Sequence, residues 1–113
     1  MDRKRRVVVT GLGLISPLGN SVKTSWQSAT EGKSGATLIS KFDTENFLTK
    51  FGATVKNFEA LDCIDPKEAR RTDLFIQYGI AAAIEAINDS GFLEYYQLED
   101  IGVSVSSGIG GLS

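Results

Sequence analysis

Cys63 is the only thiol in the sequence, and no histidine accompanies it. A cysteine attacks as its thiolate, which needs a nearby base or a positive environment. With no imidazole, every Ser–His and Cys–His pair is excluded from these 113 residues, and so are most zinc sites. Cys63 lies in Ala60-Leu61-Asp62-Cys63-Ile64-Asp65-Pro66, between a loop and a helix start, and Lys67 is the nearest cation along the chain. An ordinary half-buried thiol is the expectation there. A single cysteine cannot close an internal disulfide, which favours the cytosol as compartment.

Two glycine-rich stretches raise the question of ligand binding. Gly11-Leu12-Gly13-Leu14-Ile15-Ser16 follows a β-branched run and approaches the dinucleotide fingerprint. Ser16 replaces its third glycine, Pro17 follows, and no second strand ends in an acidic residue about 20 positions on. A tight turn leaving a buried strand is therefore expected. In Ser106-Ser107-Gly108-Ile109-Gly110-Gly111 the glycines allow close backbone approach. A phosphate cradle would carry Lys followed by Ser or Thr, and neither is present. Ile109 among small residues suits the wall of an apolar ligand better than an anion site.

Lys67, Arg70 and Arg71 are related by i, i+3 and i+4, so all three share one helical face. That pattern fits a solvated face, and it equally fits docking of an acidic or phosphorylated partner. Arg3, Lys4, Arg5 and Arg6 form a second basic run. It reads as a solvated flank of the following strand rather than a nucleic-acid or targeting patch.

The elements that must position these residues are legible in outline. Val7 to Leu12 is continuously apolar and β-branched, as in a strand covered on both faces. Asn20 or Ser21 can cap a helix carrying Val22, Trp26 and Ala29, which Gly32 can end. Residues 33–50 read as loop, Phe51 to Val55 as a weak strand, and Asp65-Pro66 as a helix start. Residues 72–91 give the clearest helix, with Ile76, Ile80, Ala83, Ile84 and Ile87 at helical spacing and Gly91 as its terminator. Its polar stripe is narrow, so it should be covered on several sides. Gly79 at its middle costs about 1 kcal/mol relative to Ala unless something packs closely there. Ile101, Val103 and Val105 alternate with small residues, as in a second strand.

Composition is that of a globular protein, 42% hydrophobic and 23% charged with net charge -2, and does not favour nucleic acid as partner. The basic start lacks the apolar core of a signal peptide, and no run approaches the roughly 20 apolar residues that span a bilayer. The strands are too few for the burial they imply, since a sheet covered on both faces usually has about 5–6 strands. The sequence reads as the opening of a layered α/β protein.

Taken together, "RRVVVTGLGLISPLGNSV", "FIQYGIAAAIEAINDSG" and "SSGIGGL" resemble, in order and over essentially all 113 residues, the amino-terminal region of β-ketoacyl-acyl carrier protein synthases. The likeness is to the type II elongating members. It implies an α/β, thiolase-like fold layered α-β-α-β-α, with residues 1–113 as an incomplete opening part of the N-terminal half. It also implies a decarboxylative Claisen condensation between an acyl group held on a cysteine and malonyl-acyl carrier protein. Two histidines assist, and neither metal nor organic cofactor is required. The nucleophile and both histidines are expected beyond position 113, and Cys63 lacks the small-residue surroundings of that nucleophile.

Gly108, Ile109 and Gly110 resemble the loop that lines and limits the acyl pocket. Lys67, Arg70 and Arg71 match the basic region that docks acyl carrier protein. A homodimer, free of membrane and nucleic acid, is implied. Ser106 stands where the family usually has Gly, a departure that bears on chain-length preference. A non-catalytic chain-length or partner subunit of the same fold is the alternative reading, and a free-standing nucleotide-binding domain a third.

Overall fold

A computed structural model describes residues 4–111. The first helix, α1, spans Val22–Thr30. Ser21 caps it by accepting the Thr24 amide on its hydroxyl oxygen at 3.1 Å, satisfying one of the orphan donors of the first turn. Gly32, at φ 68°, stops it, and the Lys33 amide closes back onto Ser28 O at 2.9 Å. A turn precedes the helix, in which the backbones of Ser16 and Gly19 exchange hydrogen bonds of 2.9 and 3.1 Å around Pro17. Ser25, 3% exposed, reaches under this turn to Ser16 Oγ and Gly19 O.

Two short strands follow, β1 (Ala36–Leu38) and β2 (Phe51–Ala53), paired antiparallel with Ala36 opposite Ala53, Thr37 opposite Gly52 and Leu38 opposite Phe51. The weak strand expected at 51–55 is thus present over its first three residues. Its partner lies within a stretch expected to be loop. Asn20 fastens the chain after β2, donating from Nδ2 to the carbonyls of Lys56 and Asn57 at 2.9 Å each. Phe58 packs edge-on against Tyr78, with centroids 4.8 Å apart.

A single 3-10 turn at Ala60–Asp62 leads to the short helix α2, Pro66–Ala69. Its start matches expectation, with Pro66 first in the helix and Asp65 Oδ1 accepting the Lys67 amide at 2.8 Å. The long helix α3 covers Leu74–Ser90 and ends at Gly91, whose φ of 62° supplies the left-handed cap. Two further 3-10 turns, Phe92–Glu94 and Leu98–Asp100, carry the chain to the final extended segment.

The two strands expected with most weight are not strands here. Residues 7–12 and 101–106 run without ladder partners, leaving Val7 93% and Val103 85% exposed. A strand is completed by a neighbour, and among the described residues the one sheet is the two-stranded ribbon β1–β2. The fold is correspondingly open. Its radius of gyration is 17.8 Å, against about 13 Å for a compact chain of this length. Among the described residues Ile64 is the one buried hydrophobic side chain, and α3 buries none of its residues fully.

The segment at 11–14 is nonetheless held firmly to α3. A Cβ on Gly13 would strike the Ala82 carbonyl, and one on Gly11 would lie 2.7 Å from Ser90 N. Both glycines are therefore explained by main chain lying on main chain, and not by a ligand. Asp89 Oδ2 accepts the Leu12 amide and Glu85 Oε2 the Leu14 amide, each at 2.9 Å. The other oxygen of Glu85 accepts the Val22 amide at the start of α1, also at 2.9 Å.

Candidate functional site

An apolar groove of about 300 Å³ lies between the first half of α3 and the extended segment before the glycine loop. Phe75, Ile76, Gly79, Ile80 and Ala83 form its α3 wall, and Val105, Ser106 and Ser107 close it. Helical spacing brings the five α3 residues onto one side. Gly79 opens this wall, because a Cβ built there would meet no atom within 4 Å. Among the described residues nothing packs closely on Gly79 to offset its cost in the helix, and its missing side chain is space in the groove.

The loop Gly108-Ile109-Gly110 continues from Ser107 at the edge of the groove. Ile109 is 81% exposed, and nothing stands within 4 Å of a Cβ on Gly108. Gly110 has φ 89°, and a Cβ on it would approach Phe75 Cζ to 3.3 Å. The loop thus rests on the Phe75 ring at a position whose backbone conformation L side chains rarely adopt. Ser106 takes part in the groove wall directly.

The basic residues sit near the same end of α3. Lys67 is on α2, Arg70 is its C-cap with helical angles, and Arg71 belongs to the turn after it, its amide bonding Glu68 O at 3.0 Å. All three are exposed, and among the described residues the one salt bridge, Lys33 with Glu31, involves none of them. Two bonds tie this basic turn to α3, since Gln77 Nε2 donates to Ala69 O at 2.8 Å and to Thr72 O at 2.9 Å. Arg5 and Arg6 are exposed, as a solvated flank requires, and Arg3 lies outside the described residues.

Cys63 belongs elsewhere. It lines a separate cavity of about 670 Å³ together with Glu59, Asp62, Glu85 and Asp89. Burial pushes its thiol pKa up, and the neighbouring Asp62 charge pushes in the same direction. Both effects disfavour thiolate, opposite to what a nucleophile needs. Among the described residues no group of three or more potential ligands can hold a metal ion, and no helix is long and apolar enough to cross a membrane.

Phe75, which supports Gly110, and Gln77, which tethers the basic turn, were not singled out from the sequence. Phe75 and Gln77 stand in an otherwise plain helical pattern. The one available signal was the unexplained Gly79 between them and Ala83.

Residues 4–113 match the family described as "Beta-ketoacyl synthase, N-terminal domain". A 3-oxoacyl-[acyl-carrier-protein] synthase 2 of Vibrio harveyi is 51% identical over 110 residues, covering 96% of this chain and 26% of that protein. The protein of the same name from Staphylococcus aureus (strain COL) is 45% identical over 113 residues, 99% of this chain and 27% of its own. The chain therefore spans about a quarter of the length of the curated relatives it matches. Among solved structures, the ishigamide ketosynthase/chain length factor superposes with a TM-score of 0.70 at 36% identity, over 87% of this chain and 23% of that one.

Proposed function

Since the chain belongs to the β-ketoacyl synthase family, matched in its N-terminal domain, we propose that residues 1–113 are the opening part of a fatty-acid-elongating β-ketoacyl-acyl carrier protein synthase. The whole protein then has the thiolase-like α-β-α-β-α layering, acts as a cytoplasmic homodimer, and joins acyl groups to malonyl units delivered on acyl carrier protein. The observation that carries this reading is the apolar groove that opens at Ser106 and Ser107, directly before the Gly108-Ile109-Gly110 loop.

In this reading the chemistry is shared between the present residues and others outside them. A cysteine outside these residues attacks the carrier-bound acyl thioester and releases the carrier thiol. The malonyl thioester then loses carbon dioxide, and the electron pair left on its α-carbon attacks the acyl-enzyme carbonyl, expelling the cysteine thiolate. Two histidines, also outside these residues, assist the decarboxylation. Residues 1–113 supply no reacting group. Their part is to hold the acyl chain, with Phe75, Ile76 and Ile80 giving it an apolar wall and Ile109 limiting its length. Lys67, Arg70 and Arg71 attract the acidic carrier, an electrostatic contribution to encounter and orientation.

The test is condensation by the full-length protein that carries this sequence, with acyl- and malonyl-carrier proteins as substrates. Ile109→Trp is expected to shorten the longest acyl group accepted while short acyl groups still react. Full activity on every chain length would overturn the pocket role. The ketosynthase/chain length factor neighbour favours a second reading, a non-catalytic subunit of the same fold. Absence of a cysteine and two histidines from the rest of the reading frame, with no condensation, would select it.

A further inference from the structure

The helix that carries Lys67 and leads into Arg70 and Arg71 is only four residues long, Pro66–Ala69. A helix of that length does not hold itself together in water, because nucleation is unfavourable and its ends leave orphan backbone groups. Its N-terminal end is secured by Asp65, which accepts the Lys67 amide at 2.8 Å. Its C-terminal end is secured from outside. The two hydrogens of the Gln77 amide donate to Ala69 O at 2.8 Å and Thr72 O at 2.9 Å, and the Thr72 hydroxyl donates to Glu68 O at 3.0 Å. Ala69 and Thr72 bracket Arg70 and Arg71, so Gln77 fixes the main chain on either side of both arginines.

Gln77 also belongs to the helix that walls the groove, between Ile76 and Gly79. Its side chain therefore joins the basic face to the rigid element beside the glycine loop. A flexible basic turn would still attract an acidic partner at long range, but it would lose entropy on forming a defined complex.

We propose that Gln77 is a positioning residue for docking of the acidic carrier protein, an inference that rests on the docking role of Lys67, Arg70 and Arg71. It acts by holding the turn from Ala69 to Thr72 in one conformation, so that Arg70 and Arg71 leave the surface in fixed directions. Gln suits this task because its amide supplies two donors on a side chain long enough to reach back across the turn.

The experiment compares two substrates in the full-length protein, an acyl group on carrier protein and the same acyl group on a small thioester without carrier. Gln77→Glu keeps the shape but offers only acceptors to two carbonyls, and Gln77→Met keeps length and helix preference with no donor. Each variant should raise KM for the carrier-bound substrate about three- to tenfold, the size expected for roughly one net hydrogen bond lost. KM for the small thioester and kcat for both should stay unchanged. With Lys67, Arg70 and Arg71 already replaced by Ala, the Gln77 variants should add no further change.

Equal losses on both substrates, or an unchanged KM for the carrier-bound one, would overturn the proposal. Charge reversal at Lys67, Arg70 and Arg71 separates the two levels of inference. If reversal raises KM and the Gln77 variants do not, the positioning role alone falls. If reversal has no effect, the docking face falls and the role of Gln77 with it.

Discussion

Glu85 holds the first amide of α1, its Oε1 accepting the Val22 N–H at 2.9 Å across 63 residues of sequence. Its second oxygen accepts the Leu14 amide at 2.9 Å, so one carboxylate joins α1, the segment at 11–14 and α3. A negative group at a helix start is doubly favourable, since it satisfies an orphan donor and faces the positive end of the helix dipole.

Glu85→Ala should therefore destabilise the folded protein by about 1–3 kcal/mol, the range for orphaning a buried donor, through the part-buried Val22 amide, while the exposed Leu14 amide can turn to water. Glu85→Gln keeps one accepting oxygen but sets an amide NH2 against the other backbone donor. Its cost should fall between wild type and Ala. Equilibrium denaturation in urea reads both, and an Ala variant as stable as wild type would discard the three-way role.

The two interior glycines of this region should respond to alanine in opposite senses. Gly13→Ala places a methyl into the Ala82 carbonyl and forces the segment off α3, at about 1–3 kcal/mol by analogy with other overpacked sites. Gly79→Ala enters open space and gains up to about 1 kcal/mol of helix preference. The same methyl narrows the groove, so under the acyl-pocket reading it should reduce turnover of long chains more than short ones. Denaturation midpoints and a chain-length series test the pair.

How far this arrangement was legible depended on how local each signal is. Ser21, Asp65 and Gly91 act on residues within about four positions, and all three serve as the sequence suggested. The extended runs at 7–12 and 101–106 have the residues of strands, but a strand needs a partner, and nothing local specifies one. Ala36–Leu38 escaped notice because three residues show no clear alternation. Glu85 and Asp89 read as ordinary members of a polar stripe, while their partners lie 63 to 77 positions away. The i, i+3, i+4 spacing of Lys67, Arg70 and Arg71 is itself local, but α2 stops at Ala69, so Arg70 is its cap and Arg71 lies in the turn beyond. Gln77, which secures it, looked like one more polar helix residue.

Cys63 should react slowly with alkylating reagents at neutral pH. Burial and then Asp62 raise its thiol pKa, so the thiolate fraction at a given pH falls below that of a free cysteine. The pH–rate profile for iodoacetamide should be displaced to higher pH. Asp62→Asn should move it back only part of the way, because burial is the larger cause. A profile at or below that of free cysteine would contradict the placement of this thiol.

The 113-residue chain prepared alone should self-associate. Val7, Val8, Val9, Val103, Val105 and Ile109 are all exposed, and both extended segments present unpaired backbone. Sedimentation should show mass rising with concentration, together with binding of an apolar dye. A dilute monomer with a sharp cooperative thermal transition would refute this.

The contact of Gly11 and Gly13 with α3 has a consequence for how this protein can diversify. It is made by main-chain atoms against the second half of the helix, around Ala82, Ala86 and Ser90. The groove occupies mostly the first half, from Phe75 to Ala83. That contact, with the bonds from Glu85 and Asp89 that reinforce it, uses none of the side chains that line the groove. Mutations that widen or narrow the groove can then accumulate without shifting the helix that carries them. Under the acyl-pocket reading, substrate range can then drift across descendants while the scaffold stays in register, provided that this pair of glycines is kept.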